Sequence, residues 1–355
     1  MIQYIYIKIR NGVTMYLNDF MPLDAGLRVW AVGHSEDVKK ADCFVLTYGN
    51  EVYLIDGGIH GSYHAIKFLL DFRRKLTNKD LAMAIDSNWK LKLNLVVSHF
   101  HNDHVEALIE SILPSPYLEF DNVYLPEVCG VPEHFNEIAK NGDRYYRNKL
   151  YELLDKYHPN HKIHIVPFGK ENVLRFKSQT GLAKEVDFTV YPLPCDPGEA
   201  DYLEYMIESY KKDGVRMEFH AYTYALNAAS IWLKAEFAGR SFLFTGDTMK
   251  RRTDLPDEAL DLMLAAYRDD VYGVDVLKYI HHGFARDAAA EAMLSLDPKY
   301  VILSTQLATA REAMLAIDPD TKAEIINCGL ETYKFVVSDD GDLNVKLMTK
   351  AIATI

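Results

Sequence analysis

The chain has 355 residues, 49% of them apolar, and a formal net charge of −12 at pH 7. Length and composition allow a large buried core, in one big domain or two smaller ones, and exclude a low-complexity or disordered protein. The acidic balance repels phosphate backbones and disfavours long nucleic acid as a partner.

Residues 1–10 alternate isoleucine and tyrosine with polar residues and read as a strand or a terminal extension, and no later stretch approaches the length of a membrane span. Strand patterns follow at 27–32, 42–48 and 51–55, the last two joined by Gly49-Asn50. Helical spacing runs from 63 to 76, a strand from 93 to 98, and a second helix from 105 to 113, stopped by Pro114-Ser115-Pro116. Residues 115–225 differ in texture: tyrosines are frequent, 132–157 is charged and helical, and Pro-rich breaks follow at 192–198. This stretch reads as an insertion or a lid over a pocket. Strands return at 230–237, 240–244, 274–279 and 300–303, with helices at 257–266 and 285–294 and a last hairpin around Asp340-Gly341. Two groups of strands with helices between them predict two stacked sheets covered by helices. Cys43, Cys129, Cys195 and Cys328 form no CxxC pair, which fits reduced thiols and a cytoplasmic location.

The densest chemistry lies at 99–104, His-Phe-His-Asn-Asp-His, directly behind the strand. Side chains alternate along extended chain, so His99 and His101 share a side, and a helix after them brings Asp103 and His104 round to the same point. Neutral imidazole and carboxylate are ligands for Zn²⁺, and also for Mn²⁺ or Fe²⁺. A solvated loop explains this run poorly, because capping a helix uses one such residue rather than four.

Four further strands end in polar residues: 53–58 in Asp56-Gly57-Gly58, 242–247 in Thr245-Gly246-Asp247, 276–283 in His281-His282-Gly283, and 300–304 in Ser304. Taken singly, Asp56 and Asp247 are ordinary turn formers beside glycine. In this order, Asp-Gly, HxHxDH, TGD and HHG, the chain resembles the metallo-β-lactamase superfamily. Within it, Val32-Gly33, 41–46, Ile55-Asp56, TGD and HHG look most like the hydrolase domain of the DNA-uptake protein ComEC and its soluble relatives. The resemblance covers most of the chain apart from 115–225.

The resemblance implies a four-layer αββα sandwich, one domain over 1–355 with an insertion or lid at about 115–225, and a centre of one or two metals, Zn with Mn or Fe as alternatives. His99 and His101 would serve one metal, and Asp103, His104 and His282 another. Asp247 would bridge them, and Asp56 would orient a ligand histidine. Asp103, Asp247 and His281 are the candidates for moving protons. The activity implied is hydrolysis, a metal-bound hydroxide attacking a phosphodiester in a small or flexible substrate. The partner expected is thus a small or short flexible ester, with no membrane and with homo-oligomers an open option.

One departure bears on the first metal. Many members carry a histidine before the TGD strand, and here that stretch contains Asn227, which the ComEC-like subgroup shares and which is a weak neutral ligand. His220, seven residues earlier, is a substitute if a loop carries it in. Two rivals stand beside this reading: hydrolysis of a lactone, thioester or β-lactam, which the missing Gly-His-Thr-Pro-Gly segment disfavours, and a non-catalytic sensor or scaffold with a degenerate first site, which the absent histidine supports. Among the other histidines, His158, His161 and His164 read as a surface turn.

Overall fold

The computed structural model describes residues 26–34, 38, 40–59, 63–76, 90–127, 143–196, 225–250, 258–283, 289–306 and 321–348. Strands β1 (Gly26–Ala31), β2 (Phe44–Tyr48), β3 (Glu51–Ile55), β4 (Leu91–Val96), β5 (Leu118–Pro126) and β6 (Lys162–Val166) lie side by side in that order. Strands β7 (Leu174–Lys177), β8 (Asp187–Tyr191), β9 (Trp232–Phe237), β10 (Arg240–Phe244), β11 (Val276–Lys278), β12 (Tyr300–Leu303) and β13 (Glu324–Asn327) form a second sheet in sequential order. The chain then returns to the first sheet through β14 (Thr332–Ser338) and β15 (Leu343–Met348), with β14 antiparallel to β1. In each sheet an antiparallel part gives way to a parallel one. Pairing is parallel from β3 to β6 and from β10 to β13.

Side-chain alternation explains the layers. Along β2, Phe44, Leu46 and Tyr48 enter a core between the sheets, while Val45 faces the opposite way into a second core. Phe188, Leu233, Phe242 and Ile302 meet that first core from the other sheet. Outside the first sheet, Val45, Leu54 and Leu95 pack against Phe68 and Leu69 of α1 (Tyr63–Leu76), Val105 of α2 (Asn102–Ala107) and Leu150 and Leu154 of α3 (Asp143–Tyr157). Outside the second, Trp232, Leu243 and Leu277 pack against Met263 and Tyr267 of α4 (Ala259–Val271) and Met293 of α5 (Ala290–Leu294). Three cores between four layers make an αββα sandwich.

Several expectations are corrected. Within 115–225, residues 118–126 and 162–166 are strands of the first sheet and 174–177 and 187–191 strands of the second. These parts are layers of the sandwich and not a lid, because their apolar residues, such as Phe120, Val123, Phe188 and Val190, are buried in its cores. Residues 128–142 and 197–224 lie outside the described residues. The helix expected over 105–113 is instead α2 continued by a π-helical turn, Leu108–Ile112. His158 is buried rather than on a surface turn: its Nε2 lies 2.9 Å from the Leu113 carbonyl and its ring packs edge-on against Phe120.

The two sheets bring their catalytically suggestive ends together. Asp56 follows β3, His99 follows β4, Asp247 follows β10, His282 follows β11 and Ser304 follows β12. All five belong to strands of the parallel regions, whose carboxyl ends share one edge. The antiparallel hairpin β2–β3 places Asp42, two residues before β2, at that edge as well.

Candidate metal centre

Chain conformation assembles the HxHxDH run in the manner its spacing requires. His101 is extended (φ −74, ψ 154) and precedes the first residue of α2, so the backbone turns from strand to helix within the motif. The His99 ring lies 4.8 Å from the His101 ring and 4.1 Å from the His104 ring, centroid to centroid. The α2 backbone is tied to the turn after β3, with Gly57 N–H donating to the His104 carbonyl at 2.7 Å and Ala107 N–H to the Gly58 carbonyl at 3.1 Å.

Asp56 anchors this half. Its Oδ1 accepts the Ser98 N–H at 2.7 Å, and its Oδ2 accepts the Ser98 hydroxyl at 2.7 Å and His104 Nδ1 at 2.8 Å. With Nδ1 donating to Asp56, His104 turns Nε2 inward. Asp56 holds a left-handed φ of 53, a strained conformation that these three hydrogen bonds maintain.

The other half comes from the second sheet. His281 and His282 both have left-handed backbones (φ 46 and 60), followed by Gly283 at φ 86, where a Cβ would lie 2.7 Å from the Leu303 side chain. The HHG turn therefore needs glycine, and it aims two imidazoles from a strand end. His282 Nδ1 approaches Asp42 Oδ1 and Ser304 Oγ, each at 3.1 Å. Its Nε2 faces Asp103 Oδ2 and Asp247 Oδ2, each at 3.2 Å. Asp247 Oδ1 is 3.2 Å from His104 Nε2, and His281 Nε2 is 3.9 Å from Asp247 Oδ2.

Two lysines, unforeseen from the sequence, complete the constellation. Lys278, 1% exposed, places Nζ 2.5 Å from Asp42 Oδ2, 2.6 Å from the Gly246 carbonyl and 3.5 Å from Asp247 Oδ1. Lys40, at the rim and 33% exposed, sits 2.7 Å from Asp103 Oδ2. The sequence trace of the first is a lysine inside the apolar run Val276–Ile280.

Electrostatics separates the histidines into two kinds. Burial pushes His99 well below the usual imidazole range and His101 down to about 4, so both are neutral near pH 7. Burial also lowers His104 and His282, but the carboxylates outweigh it. Asp247 and Asp56 hold His104 well above the usual range, and Asp247 and Asp42 push His282 up to about 9. Burial works against ionised Asp103, Asp42 and Asp247 too. Lys40 overcomes it at Asp103, Lys278 at Asp42 and His282 with His104 at Asp247, so all three carboxyls stay below their ordinary range.

The donor set fits a divalent cation. His99 Nε2, His104 Nε2, His282 Nε2 and both Asp247 oxygens are buried and make no hydrogen bond. Close approach without hydrogen-bond geometry is what ligand atoms show when they converge on a common third partner. One ligand atom from each of His104, Asp247, His282 and Asp42 lies within 4.8 Å of the others, as do those of His99, His101 and Asp247. Asp42 is better assigned to support, since its oxygens are engaged by Lys278, His282 and Ser304. Asp103 then takes its place among the inward donors. Asn227 is buried, its amide nitrogen on Met249 Sδ at 2.9 Å and its Oδ1 without a hydrogen bond. His220 lies outside the described residues.

The layering is that of the metallo-β-lactamase fold. No protein-family model matches the chain, and no curated protein matches it. Solved structures similar to it include the metallo-β-lactamase fold protein YhfI from Bacillus subtilis, with 10% identity and a TM-score of 0.38 over 90% of this chain and 100% of that one. Zn²⁺-bound PqqB from Methylobacterium extorquens has 8% identity and a TM-score of 0.41, covering 86% and 99% of the two chains. Unliganded yeast PDE1 has 9% identity and a TM-score of 0.48, covering 85% and 97%. The fold assignment rests on the sheets and cores of this chain itself.

Proposed function

We propose that the protein is a metal-dependent hydrolase acting on a phosphodiester of a small or flexible substrate. The carrying observation is the set of buried donor atoms without hydrogen bonds, on His99, His104, Asp247 and His282, delivered from the carboxyl ends of β4, β10 and β11 and from the start of α2. His99, His101, Asp103, His104, Asp247 and His282 would supply the ligands for one or two cations, zinc being the best match to imidazole and carboxylate, with manganese or iron as alternatives. A divalent cation bound there supplies two things, a lowered pKa for water and a positive charge against the ester oxygens.

The chain's own groups do the rest. Asp247 and Asp103, held as carboxylates, orient the attacking water and accept its proton. His281, at the exposed side of Asp247, delivers a proton to the departing alkoxide. Asp56 and Asp42 accept from Nδ1 of His104 and His282 and so aim Nε2 of each ring inward. The Lys40 ammonium favours an anionic substrate over a lactone, a thioester or a β-lactam, because it stands at the only rim position in the cluster where a lysine is partly open to solvent among the described residues. The net charge of −12 favours a compact phosphoester over a long polyanion.

Hydrolysis of bis-p-nitrophenyl phosphate by the zinc-loaded protein tests this reading, alongside nitrocefin and a thioester. The phosphodiester should be cleaved, and alanine at Asp103 or His282 should abolish cleavage. Turnover unchanged in either variant rejects the assignment. A second reading, a metal-binding sensor with a degenerate first site, draws on Asn227 standing where a histidine is common. It predicts bound zinc with no cleavage of any ester. A cytoplasmic location remains part of the proposal; among the described residues no helix is long and apolar enough to cross a membrane.

A further inference from the structure

We propose that this centre holds a single divalent cation, and that Lys278, by neutralising Asp42, sets that number. The inference rests on the reading of the cluster as a metal centre and adds its stoichiometry. Four carboxylates surround the ligand atoms: Asp42, Asp56, Asp103 and Asp247, each 5% exposed or less. Against them stand two ammonium groups, Lys278 on Asp42 and Lys40 on Asp103. With the histidines neutral, as ligands must be, a charge of −2 is left, which one dication cancels. Two dications with one hydroxide between them would leave a net positive charge in a buried pocket, where uncompensated charge costs several kcal/mol.

Geometry supports the same count. Lys278 donates to the Gly246 carbonyl at 2.6 Å and lies 2.5 Å from Asp42 Oδ2, so the buried ammonium is held between the two, with Asp247 Oδ1 a further neighbour at 3.5 Å that accepts no hydrogen bond from it. It is therefore a fixed charge of the site and not a group that swings away when metal enters. His104 and His282 each have Nδ1 on a buried carboxylate, Asp56 or Asp42, so the cation is assigned to His104, His282, Asp247 and Asp103.

Zinc content per chain after exhaustive dialysis, with a zinc titration followed by calorimetry, reads the count directly and does not depend on turnover. The native protein should retain one equivalent. Lys278→Met leaves one more negative charge and should take up a second equivalent, and Lys278→Met combined with Asp42→Asn restores the charge and should return to one. Should Lys278→Met fail to fold, as circular dichroism would reveal, Lys40→Met makes the same change of charge at the exposed rim and carries the same expectation. Two tight equivalents in the native protein, or one in a folded charge-removing variant, overturn the proposal. No zinc at all in the native protein instead rejects the metal-centre reading on which it stands.

Discussion

The two sides of the candidate centre are built to different standards. Behind His104 and His282 each Nδ1 meets a buried carboxylate, Asp56 or Asp42, and those carboxylates are in turn held by Ser98, Ser304 and Lys278. Behind His99, among the described residues, stands the Ser98 hydroxyl at 3.1 Å, and the His101 ring is partly exposed. A braced imidazole has its ring plane fixed before metal arrives, whereas an unbraced one must be ordered by the metal itself. The contrast teaches that the structure spends its buried polar groups on one cation position.

Substitutions can break or sharpen that contrast. The largest effect is expected at Asp247, whose two oxygens face both sides: Asp247→Ala should drop phosphodiester cleavage to background and zinc content below half an equivalent, measured by emission spectrometry. Next, Asp42→Asn strands a buried ammonium and should cost about 3–5 kcal/mol of stability in urea unfolding of the metal-free protein. A change under 1 kcal/mol would mean that Lys278 is not truly confined. Asp56→Asn should weaken zinc binding by roughly 10–100-fold with a smaller loss of stability, a difference that competition with a chelator resolves.

A milder effect concerns pH. His282, at about 9, lies above its unfolded value of 6.5, so it contributes stability to the metal-free chain that is fully present below about pH 6.5 and lost as pH rises through about 9. Zinc uptake near pH 7 should therefore release protons from the braced side, which calorimetry in buffers of different ionisation enthalpy detects; zero release contradicts the assignment. The smallest change is expected for Asn227→His, which adds a neutral donor to the unbraced side without altering charge. Its zinc count should stay at one, and a second tight zinc would show that donor number and not charge is limiting.

Much of this was legible along the chain, for specific reasons. The strands at 51–55 and 240–244 announce themselves by apolar runs that end at Asp-Gly or Gly-Asp. The strand at 118–126 is hidden, since Leu-Glu-Phe-Asp-Asn-Val-Tyr-Leu-Pro neither alternates nor runs apolar throughout, and it is held by pairing with β4 and β6. Residues 162–166 and 174–177 are short sheet-edge strands whose patterns are weak for the same reason. The HxHxDH, TGD and HHG segments carry chemistry in their composition and could be picked out without coordinates.

Asp42 and Lys278 could not be given roles that way. An aspartate before a strand and a lysine within one are common, and only the pairing of β2 with β3 and the stacking of two sheets brings them within 2.5 Å. The amino-acid order by itself determined which residues are able to bind metal and which strands deliver them, because those properties are local. Which nitrogen faces inward, which carboxylate supports rather than ligates, and how much charge the pocket carries were decided by the tertiary structure, since each depends on groups far apart in the chain sharing one volume from which water is excluded.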